Sequence, residues 1–369
     1  MKTSGQTRLM PFTKIRFYNF RNLVDAEIPV PNTQVFFIGE NGQGKTNFLE
    51  AIYTLCYGRS FRTASDGTLM KHDATEMSLF GTYESEGTDT TSFVSFKGQK
   101  KDIQLDGKPI HDRKELVDRF PCVIFCHEDL EFVRGGPEFQ RQFFDQTASL
   151  LYPRYLADLR DYGKTLKTRN VLLKEERLDL IQVYDVQLCR LGMNLHEQRK
   201  KVVGEFNGVF GTLFQAVSGG ISDVAIRYKC SWEGLDADAV CNKLRERQKV
   251  DLALRTTSSG PHRDKYFFNI GDRDFRDSAS TGQFRLLSLL LRLAQASLIR
   301  KLTGKKPVLL LDDVLLELDF EKRKRFLSML PEHEQAFFTF LPDEQVGSYV
   351  QEGALCYQVR QGSFYETSR

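Results

Sequence analysis

One octapeptide restricts this 369-residue chain more than anything else in it: Gly39-Glu40-Asn41-Gly42-Gln43-Gly44-Lys45-Thr46. It fits the spacing G-x-x-x-x-G-K-[ST], which average residue frequencies produce in roughly one chain in a hundred of this length. Its surroundings sharpen the reading. Residues 34–38 form an apolar run that reads as a buried strand entering the first glycine, and residues 48–58 read as a helix leaving Thr46. Strand, glycine loop and helix are the arrangement a phosphate cradle needs. Glycines let backbone N–H groups turn inward around phosphate oxygens, and the helix N-terminus adds partial positive charge. Lys45 then reaches the β and γ phosphates, Thr46 holds Mg²⁺ through its hydroxyl, and the loop from Gly39 to Asn47 binds the nucleotide.

Such a cradle works with carboxylates, and Val308-Leu309-Leu310-Leu311-Asp312-Asp313 offers two at the end of an apolar strand. Asp312 suits Mg²⁺, directly or through water. Asp313 suits polarising the attacking water, which makes it and Lys45 the catalytic candidates. An aspartate is one methylene shorter than a glutamate, so slow hydrolysis is expected.

More than 200 residues separate the two motifs, a gap that a compact P-loop kinase does not need. Apart from the helix after Lys45, the chain reads mainly as strands from residue 14 to 126, with a hairpin turn at Asp106-Gly107. Residues 138–203 then read as helix, with a polar turn near residues 174–177 that folds two helices into a short coiled-coil-like hairpin. An α/β pattern resumes towards the C-terminus, so the expected parts are 1–121 and 265–369 as one lobe and 122–264 as an insertion. The 52 Lys and Arg against 49 Asp and Glu leave a net charge of +3, too small to imply nucleic acid by itself. The balance is uneven, however. Residues 154–201 hold 11 basic and 7 acidic residues, while the remainder is slightly acidic. A solvated helix face accounts for that; a DNA-phosphate-contacting arm through Lys164, Lys167 and Arg169 is the sharper reading. No apolar run is long enough for a membrane span. The first eleven residues lack the apolar core of a secretory signal. Seven irregularly spaced cysteines argue for a reducing, cytoplasmic compartment. Cys122, Cys126 and His127 make a weak metal pattern and read as core, as does Trp232.

Ahead of the acid pair, Ser280-Thr281-Gly282-Gln283 opens an apolar helix and resembles the signature motif of ABC-type ATPases. Leu316-Glu317-Leu318-Asp319 resembles their D-loop. The order of motifs around a helical insert is similar to the SMC-like head ATPases. Within that group, residues 14–23, 55–63, 127–145, 259–264 and 309–319 together resemble the RecF family of bacterial DNA-repair mediators. The resemblance implies an α/β P-loop ABC-type head of the SMC-like kind with an inserted, largely helical second lobe. It implies ATP and Mg²⁺ as cofactors, ATP-dependent homodimerisation, and DNA binding at gaps or junctions. It also implies slow, DNA-stimulated ATP hydrolysis, and action with RecO and RecR in RecA loading and the SOS response. The signature would act across the dimer on the partner's nucleotide. Arg21 and Asn22 fall where related heads place adenine contacts, and Arg59 and Arg62 where a γ-phosphate or DNA clamp would sit. Glu128 lies near the expected Q-loop, and His262 and Arg263 could face nucleotide or a partner. Departures from the family pattern are His127 for a proline, Leu316 for a serine and Phe284 for a glutamine, while Thr339 stands where a histidine switch is common. An ABC-transporter subunit shares the P-loop and signature but gives no reason for the basic helical insert, and a small-molecule kinase needs an acceptor pocket and no signature.

Overall fold

The computed structural model describes residues 12–85, 88–98, 100–220, 224–342 and 353–367. The first eleven residues, read above as lacking a signal, lie outside that set, as do the side chains of Ser278 and Glu317. The chain forms two compact units, 1–127 with 299–369, and 128–298.

In the first unit, β1 (Phe12–Tyr18), β2 (Ala26–Pro29), β4 (Glu76–Ser85), β5 (Thr88–Lys97), β6 (Lys100–Leu105) and β7 (Lys108–Pro109) build an antiparallel sheet in the order β2-β1-β4-β5-β6-β7. Asp106 and Gly107, at φ 50° and 71°, make the left-handed turn joining β6 to β7. A second sheet uses β3 (Gln34–Ile38), β8 (Cys122–Phe125), β12 (Val308–Leu311), β13 (Gln335–Phe340), β14 (Leu355–Arg360) and β15 (Ser363–Glu366). Its order is β15-β14-β3-β13-β12-β8, parallel throughout except at β15. The strands are apolar on both faces because both are covered. Phe36 stacks on Phe338 at 4.8 Å on one face, and Phe37 packs on Phe48 at 4.4 Å on the other. Among the described residues, this unit carries α1 (Lys45–Tyr57), α2 (Lys114–Arg119) and, near the C-terminus, α11 (Phe320–Ser328). Buried Gln335 ties the sheets together: its amide donates to the carbonyls of Phe12, Val30 and Asn32 and accepts from the Phe12 N–H.

The second unit holds α3 (Glu131–Arg134), α4 (Pro137–Leu151), α5 (Tyr155–Lys174) and the 41-residue α6 (Leu178–Ser218). These are followed by β9 (Val224–Lys229), α7 (Ala237–Glu246), α8 (Gln248–Leu254), β10 (Lys265–Ile270), β11 (Arg273–Asp274), α9 (Phe275–Ser278) and α10 (Thr281–Thr303). The last turns of α10 return the chain to the first unit. The α5–α6 turn at residues 175–177, with Glu176 at φ 58°, falls where the polar break predicts it. The unit boundaries differ from the sequence reading. Residues 122–127 stay with the first unit because β8 pairs with β12. Residues 265–298 stay with the second because β10 pairs with β9 along its whole length. Among the described residues no helix is long and apolar enough to cross a membrane.

Candidate functional site

Because β3, β13 and β12 run parallel, the P-loop and the acid pair emerge at the same edge of the sheet. The backbone of the loop is specified closely. Gly42 and Gly44 adopt φ of 77° and 113°, and a Cβ on Gly39 would stand 2.4 Å from the Val359 carbonyl oxygen. The hairpin between β14 and β15 braces the loop. The Gly362 N–H donates to the Gln43 carbonyl at 2.8 Å and the Gln361 N–H to Gln43 Oε1 at 2.6 Å.

Lys45 is buried, and its ammonium donates to the carbonyls of Gly39 at 2.6 Å and Glu40 at 3.2 Å. Asp313 Oδ2 lies 3.6 Å from the same nitrogen. The Thr46 hydroxyl donates to Asp312 Oδ1 at 2.8 Å, so two hard oxygen donors meet where Mg²⁺ is expected. Thr339, on the strand between the two motifs, holds the pair. Its hydroxyl oxygen lies 3.1 Å from Asp312 Oδ1 and 2.8 Å from Asp313 Oδ1, and it accepts the Asp313 N–H at 2.7 Å. Asp313 sits at φ 52°, a left-handed conformation uncommon for aspartate.

A cleft of about 530 Å³ is lined by Arg21, Asn22, Lys45, Thr46, Arg62 and Asp313 together with further P-loop residues. Asn22 donates to the Gly42 carbonyl at 3.0 Å and accepts from Asn47 at 2.6 Å, so the turn after β1 is tied to the cradle. The sequence reading missed the residue that organises this rim. Glu50, fully buried on α1, accepts two hydrogen bonds from the Arg21 guanidinium at 2.7 and 2.8 Å and lies 3.7 Å from Arg62. Its signal was present: a single carboxylate in a helix whose residues from Phe48 to Tyr57 are all buried must be paired inside. Arg59 is exposed and does not line the cleft.

In the second unit the signature turn is a capping box. The Ser280 Oγ accepts the Gln283 N–H at 3.3 Å, and Gln283 Oε1 accepts the Ser280 N–H at 2.7 Å. Gln283 therefore closes the turn, whereas Thr281 and Gly282 are exposed. Leu316, in the D-loop of the first unit, is exposed, and Asp319 caps α11 by accepting the Lys322 N–H at 2.9 Å.

The helical arm needs one correction. Lys164 and Lys167 are exposed on α5, but Arg169 is fully buried. It donates to Asp185 at 2.6 Å and Asp251 at 2.8 Å, so it cannot reach a DNA phosphate. Arg169 lies on the stripe of Tyr162, Thr165 and Leu172, and that helical period marked it as interior. Arg199 is likewise buried, gripping Asp145 through two bonds of 2.9 Å and Asp264 at 3.0 Å. Burial pushes the Asp264 carboxyl up, against the pull of Arg199.

His262 is also internal to this unit. It accepts from the Tyr162 hydroxyl at 2.8 Å on Nδ1 and donates from Nε2 to the Thr257 carbonyl at 2.9 Å. Burial lowers its pKa to about 4, so it is neutral at pH 7. Trp232 is core, donating from its indole to Ser259 at 2.9 Å. Cys122 and Cys126 are buried in the core. Among the described residues no group of three or more His, Cys, Asp or Glu is placed to hold a metal.

Comparison with known proteins agrees with this architecture. The model of the RecF/RecN/SMC N terminal domain matches residues 11–361. A protein named DNA replication and repair protein RecF from Treponema pallidum (strain Nichols) is 43% identical over 350 residues, 94% of this chain and 99% of its own length. One of the same name from Clostridium perfringens (strain SM101 / Type A) is 33% identical over 96% of this chain and 99% of its own. Among solved structures, that of the recombination mediator protein RecF-ATP in the RecFOR pathway superposes with a TM-score of 0.89 at 29% identity, covering all of both chains. An Smc head bound to the C-winged helix domain of ScpA gives a TM-score of 0.55 at 13% identity over 96% of this chain and 97% of its own, a likeness of fold alone. A match that runs almost end to end with relatives of one name, and is not confined to the phosphate motifs, places the chain in the RecF family.

Proposed function

We propose that the chain is an ATP-dependent DNA-binding mediator of recombinational repair and replication, with ATP hydrolysis acting as a slow, DNA-stimulated switch. The observation that carries this is the convergence of Lys45, Thr46 and Asp313 on one cleft, with Asp312 hydrogen-bonded to Thr46 beside it, although these residues come from distant parts of the chain. In this reading Lys45 leaves the Gly39 and Glu40 carbonyls for the β and γ phosphates. Thr46 and Asp312 hold Mg²⁺, which when bound neutralises charge on those phosphates. Asp313 orients and polarises the attacking water, with Thr339 fixing its carboxylate. Arg21 and Asn22 border the base, and Arg62 the γ-phosphate.

ATP joins two copies in this reading. Ser280 to Gln283 of one copy cap the γ-phosphate held by the P-loop of the other, and the D-loop lies at the same contact. The Ser280 hydroxyl accepts a backbone N–H and keeps its own proton for a phosphate oxygen. DNA at gaps or junctions is held partly through Lys164 and Lys167, and the chain works in the cytoplasm with RecO and RecR. The transporter-subunit reading falls, because relatives named for DNA replication and repair match nearly the whole chain.

The test is sedimentation with ATP, with ADP and with neither, each repeated with DNA. A dimer formed with ATP only, and lost in Ser280→Arg while monomer ATP binding persists, is the expected result. An ATP-dependent dimer of normal strength in that variant would sink the composite site.

A further inference from the structure

Phe284 and Arg134 explain each other. Phe284 stands directly after the signature turn, where the family pattern has glutamine, and its buried ring packs edge-on against Phe275 with centroids 5.4 Å apart. The Arg134 guanidinium lies 4.4 Å above that ring. It also donates from Nη2 to the hydroxyl of Thr281, a signature residue, at 3.2 Å. Arg134 ends α3 and is exposed to solvent. A long exposed arginine normally samples many rotamers; one pinned by an aromatic face and a hydroxyl has lost most of that freedom before any ligand arrives. A guanidinium carries five N–H donors, and the bond to Thr281 uses one.

We propose that Arg134 is a further nucleotide-contacting residue, reaching in trans the γ-phosphate held by the P-loop of a second copy. The proposal rests on the reading of Ser280–Gln283 as a turn that acts across an ATP-dependent dimer. The ligand class is a nucleoside triphosphate: a planar fork and a hydroxyl beside it suit the terminal phosphate oxygens, which ADP does not present. Phe284 sets the plane of the fork, so Arg134 meets the phosphate already oriented. The cation offsets negative charge where two copies close on ATP.

Mixing variants separates this role from a merely structural one. Arg134→Ala should fold, bind ATP as a monomer with wild-type affinity, and lose at least about tenfold in ATP turnover. Arg134→Lys should fall between, since it keeps the charge but not the fork. Lys45→Met, which lacks the cradle's cation, should be inactive alone. In a symmetric dimer each site pairs one copy's P-loop with the other copy's signature side. An equimolar mixture of Arg134→Ala and Lys45→Met therefore rebuilds one intact site in each mixed dimer. ATPase should return to about a quarter of the wild-type rate, because about half of randomly paired dimers are mixed. Ser280→Ala, which removes the hydroxyl without adding bulk at the interface, mixed with Lys45→Met is the control. If the control recovers activity and the Arg134→Ala mixture does not, Arg134 has no trans role and the inference fails. Wild-type turnover in Arg134→Ala alone overturns it equally. If neither mixture recovers, the composite-site reading beneath it fails.

Discussion

Asp313 and Glu50 are both carboxylates beside the phosphate cleft, and their surroundings give them different work. Asp313 is partly exposed, faces Lys45 and is fixed by Thr339 in a left-handed backbone conformation. Asparagine tolerates that conformation nearly as well as aspartate. Asp313→Asn should therefore keep the fold and ATP binding but lose at least about a hundredfold in hydrolysis. Equilibrium ATP binding and single-turnover hydrolysis on the same sample check this, and a normal rate would remove Asp313 from its role. Glu50 is buried against two arginines. Glu50→Leu leaves the part-exposed Arg21 guanidinium without its counter-charge, at a cost of about 1–3 kcal/mol. Urea unfolding should show a lower midpoint at unchanged slope. A variant as stable as the parent would show that the arginines hold their places without Glu50.

At the scale of elements, packing of the second unit around α6 decides which changes the helices tolerate. Gly192, on α6, faces the buried Trp232 ring. A Cβ there would stand 2.3 Å from the indole, with Tyr162 3.2 Å away. The ring has no room to yield, so Gly192→Ala should destabilise by about 1–3 kcal/mol. Gly163, on the exposed face of α5, meets nothing within 4 Å. Gly163→Ala should stabilise by up to about 1 kcal/mol, because only the helix propensity changes. Thermal melts of the two variants should move in opposite directions. If both fall, the α5–α6 packing described here is wrong.

For the molecule as a whole, pH dependence follows from His262. Its pKa falls from an ordinary 6.5 to about 4 on burial, so between those values the unfolded chain binds the extra proton. Stability contributed by neutral His262 is full above pH 6.5 and is lost as the pH drops towards 4, with a slope of up to about 1.4 kcal/mol per unit. The raised carboxyls Asp185 and Asp264 act in the opposite direction as they take up protons. The difference between wild type and His262→Gln isolates the histidine: the glutamine keeps one donor and one acceptor but does not titrate. Parallel stability curves for the two between pH 4 and 6.5 would refute the assignment.

The sequence alone determined the features that depend on local geometry. The P-loop was legible because glycine spacing and flanking periodicity act over a dozen residues. The α5–α6 turn was legible because a polar break interrupts a helical stripe. The resemblance to the RecF family lay in ordered blocks along the chain. Tertiary structure decided what depends on distant partners. Three parallel strands bring Thr46 and Asp312 to 2.8 Å although they are far apart in the chain. Whether a charge is surface or core depends on which carboxylates surround it. Lys164 reaches solvent five residues from Arg169, which is sealed between Asp185 and Asp251. Buried ionic groups are kept by partners far away in the sequence, and composition cannot count those partners until the chain has folded.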